Sequence, residues 1–243
     1  MEIDKIYQCD CMERLWEIDD HSVDLTILDP NYDEWDKMCE AGLICQAVRA
    51  TKLTGNIIMF TKQPFDYNLR NEINHIFRRE IVWTFCNGGA WVSNRMPLVS
   101  FQKLYWCTLS KEFYFNERTG IDYAEGTKDF KRSNKVFGGY KSDGKQFTKS
   151  SEGVWLRDHL HYNKPSFGKI PAKPIELVSI LLRCFCPKGG LVLDPFMGSG
   201  TTAVACKQSG RHYIGFEMAD DCIKVINKRL NENRSIFDEH PTS

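Results

Sequence analysis

The sequence predicts an α/β fold with a mostly parallel sheet that is covered by helices on both faces. Short apolar runs alternate along the chain with longer amphipathic segments, which is the pattern of strands alternating with helices. The chain has 243 residues, of which 42% are hydrophobic and 26% charged. This is enough for one such domain with a core, or for one domain that carries an insertion.

Strands are predicted where apolar runs are rich in β-branched and aromatic residues, and helices where the apolar period is helical or where breakers bound the segment. The strands are expected at 23–28, 55–60, 81–85, 104–109, 191–193 and 212–216, and the helices at 11–18, 36–53, 68–77, 173–186, 201–208 and 220–231. From 116 to 167, Gly, Ser, Asn and Lys dominate and the apolar period weakens, which indicates an inserted region.

Charge and cysteine usage exclude several classes of protein. The formal net charge is zero, which argues against histone-like coating of nucleic acid but leaves room for a local basic patch. An acidic start and the lack of an apolar run of about 20 residues predict a soluble, cytoplasmic protein with no membrane partner. The ten cysteines include no C-x-x-C pair, so we expect reduced thiols that act as small apolar residues, and no metal site.

A glycine loop follows the strand at 191–193 and opens the next helix. Asp194 stands at the carboxyl end of this strand, where open α/β sheets bind ligands, and Gly198 and Gly200 allow close approach of the backbone. Glu217 follows the next strand, 23 residues later, where a carboxylate can accept hydrogen bonds from two ribose hydroxyls. A plain strand-to-helix turn is the alternative, but the combination favours a nucleoside-bearing cofactor. The Gly-Lys-Ser/Thr ending of a phosphate-binding P-loop is missing.

A second segment, Asp29-Pro30-Asn31-Tyr32, follows the strand at 23–28 and is therefore expected at the same edge of the sheet. Asp, Pro and Asn are turn formers, so this segment on its own also fits a surface turn. The two segments together resemble the amino-methylating DNA methyltransferases. The loop at 194–202 matches the cofactor motif of that family, and 29–32 matches its catalytic Asp-Pro-Pro-Tyr motif except for Asn31.

The resemblance extends to Asp10-Cys11 and to 173–177, and it covers roughly 6–110 and 168–230. The catalytic motif precedes the cofactor motif, an order that resembles the β class of the family. The resemblance implies a Rossmann-like S-adenosylmethionine-dependent methyltransferase fold. It divides the chain into a catalytic half (1–115), an inserted target-recognition region (116–167) and a cofactor-binding half (168–243).

The resemblance also implies direct methyl transfer from S-adenosylmethionine to a base that is flipped out of the DNA. Asp29 would accept a hydrogen bond from the exocyclic amine, the backbone carbonyl of Pro30 or Asn31 would accept another, and Tyr32 would stack on the base. Asn31 can supply a carbonyl but lacks the stiffness of proline. The residues implied at the cofactor are Asp10 at its adenine, Lys173 at its methionine end, and Asp194, Phe196, Gly198, Ser199, Gly200, Thr201 and Glu217.

The target is predicted to be N6 of adenine. Methylation at carbon 5 of cytosine requires a cysteine nucleophile, which follows a proline in that family, and no Pro-Cys dipeptide occurs here. In the resembled family, Asp at the first motif position is typical of adenine enzymes. An N4-cytosine enzyme is the alternative within the family. An inactive regulator that binds the cofactor or DNA is a further alternative, because Asn31 departs from the catalytic motif. The motif order and the basic insertion speak against an RNA or protein methyltransferase.

The segment 127–149 holds seven Lys or Arg residues against two Asp, a composition that suits contact with phosphates. A solvated loop is the usual alternative, but in the resembled family the region between the motifs reads DNA. Double-stranded and single-stranded DNA are both possible substrates. A homodimer is also possible, and so is a restriction endonuclease as the partner in a restriction–modification system. The candidate contacts are Lys128, Lys131, Arg132, Lys135, Lys141 and Lys145.

Overall fold

The computed structural model describes residues 1–32, 35–86, 99–116, 156–165 and 170–232. Within these ranges one mixed sheet contains eight strands in the order β1-β8-β7-β2-β3-β5-β4-β6. The strands are β1 (Lys5–Tyr7), β2 (Val23–Leu28), β3 (Thr51–Thr61), β4 (Phe77–Thr84), β5 (Phe101–Thr108), β6 (His159–His161), β7 (Leu191–Asp194) and β8 (His212–Phe216).

Most neighbouring strands run parallel. The strands β1, β8, β7, β2 and β3 are parallel to one another, and β6 is parallel to β4. Only β5 runs antiparallel to its neighbours β3 and β4 among the described strands. The prediction of a mostly parallel sheet is therefore confirmed.

Helices cover both faces of the sheet, as the sequence predicted. Along β3, Ile58 and Phe60 point into the core on one face of the sheet, whereas Ile57 and Met59 point into the core on the other face. None of the helices in the described ranges has the length and apolar character needed to cross a bilayer. The helices are α1 (Cys11–Arg14), α2 (Trp35–Glu40), α3 (Leu43–Ala50), α4 (Phe65–Glu72), α5 (Ile175–Phe185), α6 (Thr201–Ser209) and α7 (Asp220–Glu232), with a 3-10 turn at Leu15–Glu17.

Some predicted boundaries are wrong. The helix expected at 36–53 is two helices, because Gly42 adopts a left-handed φ of +88° between them. The second of these ends at Ala50, since Thr51 already pairs with Val23 of β2. The helix expected at 68–77 instead spans Phe65–Glu72, because Phe77 pairs with β5. The strands β1 and β6 were not predicted, since three residues are too few to show a period.

None of the ten cysteines, all of which lie in the described ranges, forms a disulfide, and half of them are buried. Burial raises the pKa of the Cys107 thiol to about 12, and it does the same for Cys184. Cys107 and Cys184 therefore pack as small, protonated apolar residues.

The strand order brings the two predicted functional segments together. The strands β2 and β3 from the first half of the chain lie on one side of the centre of the sheet, and the strands β7 and β8 from the second half lie on the other side. The centre of the sheet, where β7 and β2 pair in parallel, is therefore the point at which the two halves diverge. Such a switch point leaves a crevice at the carboxyl ends of the strands, where Asp194 ends β7 and Asp29 follows β2.

Candidate active site

A cavity of about 210 Å³ opens at this crevice, and residues from both halves of the chain line it. Asp29 and Asp194 contribute carboxylates from adjacent strands, so the expectation that the two segments face each other across one sheet edge agrees with the geometry. Of the predicted site residues, those that line the cavity are Asp29, Lys173, Asp194, Phe196, Gly198, Ser199 and Thr201.

Asp29 lies within a chain of polar contacts that extends from Lys173 to Gln102. Its carboxylate contacts the ammonium group of Lys173 and accepts a hydrogen bond of 3.3 Å from the Tyr32 hydroxyl. That hydroxyl accepts a hydrogen bond of 3.1 Å from Nε2 of Gln102. Burial, and then the charge of Asp29, raise the pKa of Tyr32 above its usual value, so the hydroxyl stays protonated and able to donate.

The rest of the turn supports this arrangement from outside the cavity. The Tyr32 ring stacks on Phe65, with 6.0 Å between ring centroids and 23° between ring planes. Pro30 is buried and Asn31 is exposed. Asp29 is the residue of this turn that lines the cavity.

The glycine loop is held in place by α7. Gly200 has a φ of +76°, and a Cβ at this position would lie 2.8 Å from the side chain of Ile226. Glycine is therefore required there by both backbone conformation and space. Arg229 of α7 donates to the Ser199 carbonyl at 2.6 Å and to Oγ1 of Thr201 at 3.1 Å. This arginine fixes the loop, and no pattern in the sequence pointed to it.

Asp194 is buried, since only 5% of the residue is exposed. Burial raises its pKa to about 6, and Asp29 adds to this effect. Hydrogen bonds from Thr202 and from the Phe196 amide, at 3.0 Å, oppose it because they favour the ionised form. The carboxylate is therefore ionised at neutral pH at a cost in stability, which is a common property of functional groups.

We expect Asp194→Asn to gain stability relative to the wild type as the pH rises from 4 to 8. The raised pKa means that the folded wild type retains a proton which the unfolded chain loses near its ordinary value of 3.8. The free energy of unfolding of the wild type thus falls by roughly 3 kcal/mol as the pH rises through the folded pKa, and asparagine avoids this loss. Urea unfolding at both pH values measures the difference. Asp19→Asn, an exposed control, should show none, and a pH-independent effect at Asp194 would contradict the assignment.

Glu217 and Asp10 lie at the same edge but do not line the cavity. Glu217 accepts hydrogen bonds from the amides of Gly198 at 2.7 Å and Ala219 at 2.8 Å, so it ties the end of β8 to the glycine loop. Asp10 caps α1 by accepting a hydrogen bond of 2.9 Å from the Met12 amide. Their predicted roles at the ribose and adenine of the cofactor stay predictions.

Several cavity residues were missed by sequence reasoning. Gln102 comes from the antiparallel strand β5, and Lys164 comes from the loop after β6. Trp83 is 1% exposed and packs in the core, but it also forms part of the cavity wall. None of these residues is next to a motif, so only the pairing of strands distant in the sequence brings them to the site. The predicted DNA contacts Lys128, Lys131, Arg132, Lys135, Lys141 and Lys145 lie outside the described residues.

The chain belongs to the DNA methylase family of N6 and N4 amino-methyltransferases, whose family model matches residues 21–228. It is 26% identical over 260 residues to the Type II methyltransferase M1.MboII of Moraxella bovis, covering 96% of this chain and 98% of that protein. It is also 26% identical over 269 residues to M.HinfI of Haemophilus influenzae, covering 95% of this chain and 69% of that protein. The family predicted from the sequence is thereby confirmed, and the protein is a DNA methyltransferase.

Solved structures agree in fold. The complex of M1.HpyAVI with SAM superimposes with a TM-score of 0.66 at 23% identity, covering 93% of this chain and 98% of that one. The cytosine-N4-specific PvuII DNA methyltransferase superimposes with a TM-score of 0.63 at 15% identity, covering 93% and 92%. These likenesses confirm the predicted methyltransferase fold.

Proposed function

We propose that the protein transfers a methyl group from S-adenosylmethionine to N6 of adenine in DNA. S-adenosylmethionine is the cofactor of this family. The observation that carries the proposal is that one cavity, at the switch point of the sheet, holds both Asp29 and Asp194. One carboxylate belongs to the turn that resembles the catalytic motif, and the other belongs to the glycine loop.

The glycine-loop side of the cavity takes the cofactor. The sulfonium and ammonium groups of S-adenosylmethionine are cations, and Asp194 offers them a buried carboxylate beside Lys173 and Phe196. The backbone of Gly198 and Ser199 borders the same space. Gly200, Thr201 and the start of α6 present amide groups at the loop, whereas Glu217 and Asp10 are assigned to the ribose and adenine at the outer edge.

The Asp29 side of the cavity takes the flipped base. The lone pair of the exocyclic nitrogen attacks the methyl carbon, the carbon–sulfur bond breaks with its electrons passing to sulfur, and the nitrogen then releases a proton. Asp29 and the carbonyl of Pro30 or Asn31 accept hydrogen bonds from the amine and stabilise the positive charge that develops on it. Tyr32 is assigned to stacking on the base, which contributes on the order of 1–3 kcal/mol. For this its ring would leave Phe65, on which it stacks outside the cavity.

Adenine is favoured because Asp29 occupies the first position of the catalytic motif, as in the adenine enzymes that this segment resembles. Several relatives are named as Type II methyltransferases, which supports a role in restriction–modification beside a restriction endonuclease. Asn31 is compatible with activity, since the group it would supply is a backbone carbonyl.

The test is to incubate the protein with labelled S-adenosylmethionine and DNA, in double- and single-stranded form, and to identify the modified nucleoside by mass spectrometry. N6-methyladenine is the expected product. N4-methylcytosine would overturn the adenine assignment and support the N4 alternative. Cofactor binding without any modified base on either form of DNA would contradict the enzymatic proposal and favour an inactive regulator.

A further inference from the structure

Three lysines lie in the cavity wall or close to it on the Asp29 side. Lys164 and Lys173 both line the cavity. Lys62 directly follows β3, whose carboxyl end lies beside the end of β2 from which Asp29 continues. These three lysines come from three separate parts of the chain, and the fold brings them to one edge.

The lysines are close enough to influence one another electrostatically. Burial lowers the pKa of Lys164, and the positive charges of Lys173 and Lys62 lower it further, whereas Asp29 acts in the opposite direction. Lys164 therefore lies near two other cations, Lys173 and Lys62, with Asp29 as an opposing charge. Lys173 contacts Asp29, Lys164 lines the cavity, and the Lys62 side chain is exposed directly after β3. Like charges held together in this way create a local positive potential.

The ammonium group of Lys164 is held over an aromatic wall. It lies 3.9 Å from the ring centroid of Phe85 and 6.0 Å from that of Trp83, which are distances of a cation–π contact. The loop that carries it is tied to the end of β4 by a hydrogen bond of 2.9 Å from the Cys86 amide to Asn163. The position of this charge is thus defined by the fold, unlike that of a lysine on an open surface.

We infer that Lys62 and Lys164 bind the backbone phosphates that flank the nucleotide inserted into the cavity. This inference rests on the proposed function, because a base that enters the Asp29 side carries its own sugar and two neighbouring phosphates to the mouth. Phosphates there relieve the repulsion between the lysines and fix the position of the nucleotide without reading its sequence.

The test measures the salt dependence of DNA affinity with the full chain and a labelled duplex of mixed sequence. Each lost phosphate contact lowers the slope of log K against log salt by about 0.9. For the double variant Lys62→Met, Lys164→Met we expect a slope that is shallower by about two units and a lower affinity at every salt concentration. Lys62→Arg, Lys164→Arg should retain the wild-type slope, because it keeps the charges.

The matched control is Lys111→Met, Lys188→Met. Both lysines are exposed. Lys111 follows β5 and Lys188 precedes β7, so both lie at the opposite edge of the sheet. The control should keep the wild-type slope. An unchanged slope in the Lys62 and Lys164 variant, or an equal loss in the control, would overturn the inference. Calorimetry with S-adenosylmethionine checks that each variant is folded.

Failure of the inference is distinguishable from failure of the proposed function. A wild-type protein that methylates adenine while the variant keeps its slope would refute the phosphate contacts alone. A wild-type protein that yields no methylated base would refute the proposed function, whatever slopes the variants show.

Discussion

Replacing Asp29 with alanine is expected to lower the rate of methyl transfer by about 10²–10³-fold, because the reacting amine loses the carboxylate that stabilises its developing charge. The cofactor affinity should stay within a few-fold of the wild type, since the carboxylate lies on the base side of the cavity. Single-turnover quench experiments with labelled S-adenosylmethionine measure the rate of the chemical step, and calorimetry measures the affinity.

The control for this prediction is Asp19→Ala, an exposed aspartate before β2, at the other edge of the sheet. It should transfer methyl groups at the wild-type rate. Asp29→Asn tests the role of charge, because the amide keeps an acceptor oxygen but cannot carry a negative charge. An Asp29→Ala variant with near-normal single-turnover rates would remove Asp29 from its proposed role.

Replacing Asp194 with alanine is expected to weaken cofactor binding by roughly 10- to 150-fold at pH 7.5, which corresponds to the loss of one charged hydrogen bond of about 1.5–3 kcal/mol. The physical reason is that the carboxylate is buried, so solvent screens its attraction for a cationic ligand only weakly. Isothermal titration with S-adenosylmethionine measures the change directly.

The same carboxylate predicts how cofactor affinity depends on pH. With its pKa raised to about 6, Asp194 is ionised above this value and protonated below it. Wild-type affinity should therefore fall as the pH drops through about 6, and the affinity of Asp194→Asn should lack this transition. Unchanged affinity in the alanine variant, or the same pH transition in Asn and wild type, would contradict the cofactor role.

The sequence predicted most of the sheet and both ends of the site because each motif directly follows a strand. A short apolar run that ends in Asp-Pro defines both the strand and the position of the carboxylate, as at Asp29 and Asp194. The pattern could not separate the helix at 36–53 from the strand that begins at Thr51, since pairing with β2, rather than local preference, starts this strand.

The missed residues share a different cause. Gln102 reaches Tyr32 because β5 pairs with β3 in an antiparallel register, and Arg229 reaches the glycine loop because α7 packs against α6. Contacts of this kind join residues that are 70 and 30 positions apart. A local period carries no information about them, so only the assembled fold shows them.

The contact between Lys173 and Asp29 has a consequence for which amines can react. The ammonium group of Lys173 stands against the carboxylate that a target amine would engage in the proposed mechanism. A small amine that arrives alone brings no other contacts to offset the displacement of this ion partner. Under the proposed function, a base delivered by DNA would bring stacking and phosphate contacts together with its amine, so we expect the enzyme to discriminate against small amines that arrive alone.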